Sequence, residues 1–199
     1  MTDVPIHTAP LPIGSIDKRA SGWFGMLMLI MTEAALFIYL LFSYYYFYVQ
    51  YGHEWLPAEL PKFRLSVPNT VILLASSGTA WLAEQGIHRG DRFRLALGLA
   101  ATLLLGIVFM GIQGLEWGEK PFGMATSAYG SMYFTLTGFH MAHVAAGLIM
   151  LGFVMLWALL GYFDRERNAA VTIAAAYWHF VDAVWLTLFF TIYITPRLG

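Results

Sequence analysis

Long apolar segments alternate with short polar breaks along most of this 199-residue chain. A transmembrane helix needs about 20 consecutive, predominantly apolar residues, and each of these segments is long enough. Prolines, glycines and charged residues mark the breaks between them. Because the breaks are short, the pattern predicts an all-α integral membrane bundle. Its five predicted transmembrane helices cover about residues 21–50, 68–88, 93–117, 128–160 and 169–195.

The basic residues at the helix ends predict an orientation, because Lys and Arg concentrate on the cytoplasmic side of a membrane protein. One side carries seven of them, in the N-terminal segment and in the second–third and fourth–fifth connections: Lys18, Arg19, Arg89, Arg92, Arg94, Arg165 and Arg167. The other side carries four: Lys62, Arg64, Lys120 and Arg197. We therefore expect the N-terminal segment, residues 1–20, in the cytoplasm and the C-terminus outside.

Composition supports a membrane protein and narrows its chemistry. Hydrophobic residues make up 59% of the chain and charged residues 12%, whereas about 25% of a soluble domain is charged. A net charge of −1 indicates no polybasic surface for nucleic acid. The chain has no cysteine, which excludes disulfides and thiolate metal sites. Residues 1–20 lack an apolar core before a cleavage site, so no cleavable signal peptide is expected.

Two ionisable residues, His179 and Asp182, lie in the middle of the fifth predicted helix. Being three residues apart, they share one face of that helix. Each costs about 3 kcal/mol or more at the centre of a bilayer unless it is paired. We therefore expect them to face protein and to pair with groups on the third and fourth helices. The expected partners are Glu116 and a histidine of the His140–His143 pair.

Two other predicted helices carry carboxyl or amide groups. Glu33 lies about 18 Å along the first helix, near mid-bilayer. We interpret it as a neutral, hydrogen-bonded carboxyl, with a proton-handling or lipid-facing regulatory role as the alternative. Gln113 and Glu116 share a face of the third helix, and Glu116 is expected to cap the helix end or to contact the fourth helix.

The histidines of the fourth helix allow two interpretations. His140 and His143 are one helical turn apart, a spacing that can chelate a metal ion. His179, together with Glu116 and Asp182, could complete such a site, which would make the chain an independent intramembrane metalloenzyme. No paired Glu-x-x-His motifs accompany them, so we favour buried, hydrogen-bonded histidines. On this interpretation the chain holds no metal and has no catalytic residue of its own.

Several motifs, each on its own helix, together resemble subunit III of the haem-copper respiratory oxidases. They are Thr32-Glu33 with its aromatic run; Asn69-Thr70 with Ser76-Ser77; Gly106 to Trp117; Phe139 to Val144 with Gly147; and Tyr177 to Asp182 with Trp185. The chain departs from the longest members in having five spans instead of seven, and Thr32 in place of the usual serine. It is similar to the five-helix form of bacterial quinol and cytochrome c oxidases.

This resemblance implies a subunit without a redox centre, in a bacterial inner membrane. Haem and copper are expected in the partner subunit I. The chain would pack on subunit I among the other oxidase subunits, hold phospholipid, and support proton uptake and stability while oxygen is reduced. Glu33 matches the carboxyl of the family that reacts with hydrophobic carbodiimides. Two alternatives stay open: a subunit-III-like accessory protein of a nitric oxide reductase, and a small proton-coupled transporter that uses Glu33.

Overall fold

The computed structural model describes residues 21–198, and five long helices account for most of them. The all-α prediction is confirmed. The predicted cytoplasmic segment, residues 1–20, lies outside the described residues. The helices are α1 Ser21–Tyr51, α2 Phe63–Arg89, α3 Arg92–Gly118, α4 Ala128–Leu159 and α5 Ala169–Phe189.

Two helix ends differ from the sequence-based boundaries. α2 begins at Phe63 rather than at Pro68, so the proline lies inside the helix. Proline lacks a backbone N–H and removes one helical hydrogen bond there, yet the helix continues through it. Beyond α5, the chain continues as a π-helical turn, Phe190–Ile194, and a short 3-10 turn, Thr195–Arg197. The last span therefore continues as helical turns as far as Arg197.

Four of the five helices, α1, α3, α4 and α5 with its extension, are long and apolar enough to cross a membrane. α2 has 27 residues, which corresponds to about 40 Å of helix, but it is less apolar. Four of its polar side chains are buried in the bundle: Ser66, Asn69, Thr70 and Ser76. Because these groups face neighbouring helices rather than lipid, α2 tolerates a composition that a lipid-exposed helix would not.

α5 is the central helix, because it packs against α1, α2 and α4, while α3 packs against α2 and α4. Two fully buried tryptophans fix α5 to α2. The Trp178 indole N–H donates to the Ser76 hydroxyl at 3.0 Å, and that of Trp185 donates to the Thr70 hydroxyl at 2.9 Å. The small hydroxyl residues of α2 thus serve as hydrogen-bond partners across a helix contact.

Two glycines make room for Trp178. A Cβ added at Gly106 of α3 would lie 2.8 Å from its ring, and one added at Gly147 of α4 would lie 2.9 Å from it. Both distances are too short for a carbon–carbon contact, so only glycine allows both helices to approach the indole. The α3–α5 and α4–α5 distances are therefore set by the absence of a side chain at these two positions.

Polar contacts join the connecting segments at each end of the bundle. At one end, the Arg165 guanidinium donates to the Arg89 carbonyl at 3.0 and 2.6 Å, which joins the α4–α5 connection to the α2–α3 hairpin. At the other end, Arg64 contacts Glu119 at 3.1 Å, and Arg197 donates to the Pro61 carbonyl at 2.6 Å. These are the two groups of basic residues from which the sequence predicts orientation.

Candidate functional site

Glu33 and His143 form an ion-pair contact between α1 and α4. Glu33 Oε2 lies 2.9 Å from His143 Nε2, and the two side chains are 30% and 13% exposed. The edge of the Phe37 ring packs on the imidazole, with centroids 5.0 Å apart. Glu33 is therefore hydrogen-bonded, as predicted, but it lies at the surface of the bundle rather than in its interior. Its partner was not predicted.

The hydrogen bonds of His143 define what this pair can do. Its Nδ1 lies 2.7 Å from the Phe139 carbonyl, which can only accept, so Nδ1 carries a proton. One further proton then lies between Nε2 and the Glu33 carboxyl. The pair can be a neutral imidazole with a carboxylic acid, or an imidazolium with a carboxylate. In both states the net charge of the pair is zero, so holding the pair within the membrane costs less free energy than holding a net charge there.

His140 has a different environment, although it is only one turn away. Its ring is fully buried between Phe109 and Trp185, at centroid distances of 5.9 and 4.9 Å. Neither ring nitrogen has a hydrogen-bond partner among the described residues. The prediction that His140 is buried is therefore correct. The prediction that it is hydrogen-bonded is wrong as far as residues 21–198 are concerned.

The predicted partners of His179 are also wrong. His179 Nδ1 lies 2.5 Å from the Ser77 hydroxyl of α2, not near a group of α3 or α4. Asp182 is 4% exposed, and neither carboxyl oxygen has a partner among the described residues, although the carboxyl faces Ser77. The reason is the rotation of α5: its tryptophan-bearing face meets α2, and this brings His179 beside Ser77.

Glu116 instead belongs to a buried cluster at the C-terminal end of α3. Lys120 Nζ contacts Glu116 Oε1 at 2.7 Å, with side chains 7% and 4% exposed, and the Tyr193 hydroxyl donates to the same oxygen. The Lys120 ammonium also lies 5.1 Å from the centre of the Tyr133 ring. Gln113, one turn before Glu116, is fully buried, and its amide has no partner among residues 21–198.

Sequence reasoning missed Lys120, Tyr193 and Ser77 as partners. Lys120 was counted only among the basic residues that predict orientation, although its spacing of four residues from Glu116 is a recognisable pairing signal. Tyr193 lies 77 residues from Glu116 and Ser77 lies 102 residues from His179. No local pattern identifies partners at such separations.

The metalloenzyme alternative requires three histidines that converge. His140 is buried against aromatic rings, His143 binds Glu33, and His179 binds Ser77. Within residues 21–198, no three His, Asp or Glu side chains are arranged to hold a metal ion. The geometry thus defines a class: a multi-pass membrane protein whose intramembrane histidines bind, where they bind at all, other side chains and the backbone.

Comparison with known proteins identifies the family. The model of the family described as cytochrome c oxidase subunit III matches residues 18–196. A protein named cytochrome c oxidase subunit 3 from Scyliorhinus canicula is 35% identical over 177 residues, which cover 85% of this chain and 68% of that protein. The proteins of the same name from Cyprinus carpio and Oncorhynchus mykiss are 36% and 37% identical over the same shares.

The chain therefore belongs to the cytochrome c oxidase subunit III family, and the resemblance seen in its motifs is confirmed. It is a non-catalytic subunit of a haem-copper oxidase complex, and the family implies no redox cofactor of its own.

Proposed function

We propose that this chain packs against the catalytic subunit I of a terminal oxidase in a bacterial inner membrane. There it holds phospholipid and supports proton uptake and stable turnover while subunit I, with its haem and copper, reduces oxygen to water and pumps protons. The N-terminal segment lies in the cytoplasm and the C-terminus outside. The family match supports the assignment to an oxidase complex, and the excess of Lys and Arg at one end supports the orientation.

One observation carries the accessory role: the Glu33–His143 pair, at 2.9 Å. The pair shares one proton at membrane depth, and Glu33 keeps part of its surface exposed toward whatever surrounds the bundle. Such a pair can tune the stability of a neighbouring surface, or exchange a proton locally, without a redox centre. An accessory carboxyl of this kind modifies turnover in a partner, whereas an obligate relay would stop it.

The test is purification through a tag on this chain from native membranes. We expect it to co-purify with larger haem-containing subunits that consume oxygen, and to bind no stoichiometric haem, copper or zinc when isolated. Oxygen consumption by the complex, rather than nitric oxide reduction, separates an oxidase subunit from a nitric oxide reductase accessory protein. One metal ion per isolated chain, lost in His140→Ala or His143→Ala, would overturn the proposal.

A further inference from the structure

Four buried polar atoms without partners lie together near the C-terminal end of α3. They are both polar atoms of the Gln113 amide, Oε2 of Glu116 and the Tyr133 hydroxyl, and none has a hydrogen-bond partner among residues 21–198. Gln113 and Tyr133 are fully buried, and Glu116 is 3% exposed. Tyr133, on α4, lies close enough to Gln113 and Glu116 to interact with both. The three side chains therefore border one small region of the interior.

Other buried polar side chains of the same two helices are bonded within the chain. On α3, the Thr102 hydroxyl donates to the Gly98 carbonyl at 2.8 Å. On α4, the Thr137 hydroxyl accepts from the Trp117 indole N–H at 3.2 Å. Buried polar groups are almost always bonded to protein or to ordered water. The side chain of another subunit cannot reach atoms enclosed this deeply, but a water molecule is small enough to do so.

A polar cavity gives water an entrance to this region. The cavity has a volume of about 360 Å³, and Glu116, Lys120 and Phe122 are among its lining residues. The Phe122 ring packs edge-on against the Tyr133 ring, with centroids 5.5 Å apart, and the Lys120 ammonium lies 5.1 Å from the centre of the same ring. Since one molecule of liquid water takes up about 30 Å³, the cavity has room for several.

The charges around the cavity favour a neutral occupant. Its six charged lining residues form three ion pairs, so their net charge is zero and neither a cation nor an anion gains an unpaired counter-charge. Water can donate to Glu116 Oε2 and both donate to and accept from the Gln113 amide and the Tyr133 hydroxyl. The three pairs are Lys62–Glu59 at 3.5 Å, Arg64–Glu119 at 3.1 Å and Lys120–Glu116 at 2.7 Å.

We propose that Gln113, Glu116 and Tyr133 form a binding site for a small cluster of ordered water molecules, connected to the surface through the cavity. The waters bridge polar atoms that make no direct hydrogen bond to one another. Glu116 binds Lys120 and Tyr193 through its other oxygen, Oε1, so the waters connect this buried ion pair to the aqueous phase. The inference concerns the interior of this chain and does not depend on the proposed function.

Hydroxyl-radical footprinting of the full chain, purified with the subunits that accompany it, tests the site. A short X-ray pulse generates radicals from water, including bound water, and mass spectrometry locates the oxidised side chains. We expect several-fold more oxidation of Tyr133 than of Tyr177. Tyr177 is the control because it is 6% exposed but its hydroxyl donates to the His143 carbonyl, at 3.4 Å. Oxidation of Tyr133 no greater than that of Tyr177 would mean a dry interior and would overturn the proposal.

An apolar substitution identifies the residues that bind the water. Gln113→Leu removes two bonding atoms and should lower the oxidation of Tyr133 to the level of Tyr177. Thr102→Val is the matched control, because Thr102 is equally buried on α3 but is bonded within the chain, and it should leave Tyr133 oxidation unchanged. Unaltered oxidation in a folded Gln113→Leu variant would exclude a water site at Gln113. If this variant does not fold, the wild-type comparison still decides whether the site holds water.

The connection to the surface has its own measurement. Mixing with water labelled with oxygen-18 just before the pulse shows whether the bound water exchanges with bulk solvent. Because the cavity reaches Glu116 and Lys120, we expect the heavy isotope in oxidised Tyr133. Oxidation that incorporates only the light isotope, while exposed tyrosines such as Tyr162 incorporate the heavy one, would show a sealed site and overturn the connection.

Discussion

At the scale of single residues, the shared proton of the Glu33–His143 pair determines which substitutions are tolerated. His143 Nδ1 donates to the Phe139 carbonyl, so Nε2 can accept from an amide N–H. Glu33→Gln should therefore keep the contact and leave oxygen consumption largely intact, while labelling by a hydrophobic carbodiimide at this position disappears. The measurement is oxygen consumption with proton release in reconstituted vesicles. Complete loss of electron transfer in Glu33→Gln would make the carboxyl an obligate relay and contradict the accessory role.

Ser77 is predicted to stabilise the fold through one bond. Ser77→Ala removes the partner of His179 Nδ1 and should destabilise the isolated chain by about 1 kcal/mol, because His179 is only half-buried. Thermal unfolding in detergent measures the effect. Ser43→Ala is the control, since Ser43 is also only partly buried and bonds only the backbone of its own helix. An equal change in both variants would show that the Ser77–His179 contact contributes nothing.

At the scale of helices, the buried Lys120–Glu116 pair lies at the end of α3, where Tyr193 of the segment after α5 also donates to Glu116. Lys120→Met leaves the buried Glu116 carboxylate without its cation and should cost about 3–5 kcal/mol, with Glu116→Gln in the same chain restoring much of the loss. The exposed Arg64–Glu119 pair, with side chains 76% and 56% exposed, is the control, and Arg64→Met should cost less than about 1 kcal/mol. Similar shifts in the unfolding midpoint for both variants would contradict this account.

The approach of α4 to α5 depends on Gly147. A Cβ at this position meets the Trp178 ring at 2.9 Å, and Gly106 of α3 lies close to the same ring, so the indole has little room to move. Gly147→Ala should destabilise the chain by about 1–3 kcal/mol through overpacking. Gly152→Ala on the same helix meets no atom within 4 Å and should be neutral or slightly stabilising, because alanine favours helix. The measurement is the unfolding midpoint of the Gly147→Ala and Gly152→Ala variants. An unchanged midpoint in Gly147→Ala would mean that α4 and α5 can shift apart.

At the scale of the whole molecule, Asp182 is predicted to matter for assembly rather than for the fold of the chain. Its oxygens have no partner among residues 21–198, so Asp182→Ala removes no bond in that region and should leave the stability of the isolated chain nearly unchanged. The yield of assembled complex should fall, while turnover per assembled complex stays close to normal. Quantitative native gels and oxygen consumption test both parts. Normal assembly with abolished turnover would refute this division.

The sequence by itself determined the all-α class, the number of helices and the family. The length and apolarity of the segments are sufficient to predict the helices. A helix needs about 20 apolar residues to span a bilayer, and backbone N–H and C=O groups in lipid must find their hydrogen bonds within the helix. The buried state of His140 and Asp182 followed from the same cost argument. The start of α2 could not be predicted in this way. A proline can mark the start of a helix or lie inside its first turns, and in α2 Pro68 lies inside the helix.

The tertiary structure alone decided which polar groups meet. His143 pairs with a carboxyl 110 residues away, and His179 bonds α2 rather than α3 or α4. These pairings depend on the rotation of each helix about its axis, which is fixed by contacts such as Trp178 between Gly106 and Gly147. A helical pattern shows that residues share a face, but it does not show which neighbour that face meets. Rotation is a property of the packed bundle, because distant side chains set it jointly.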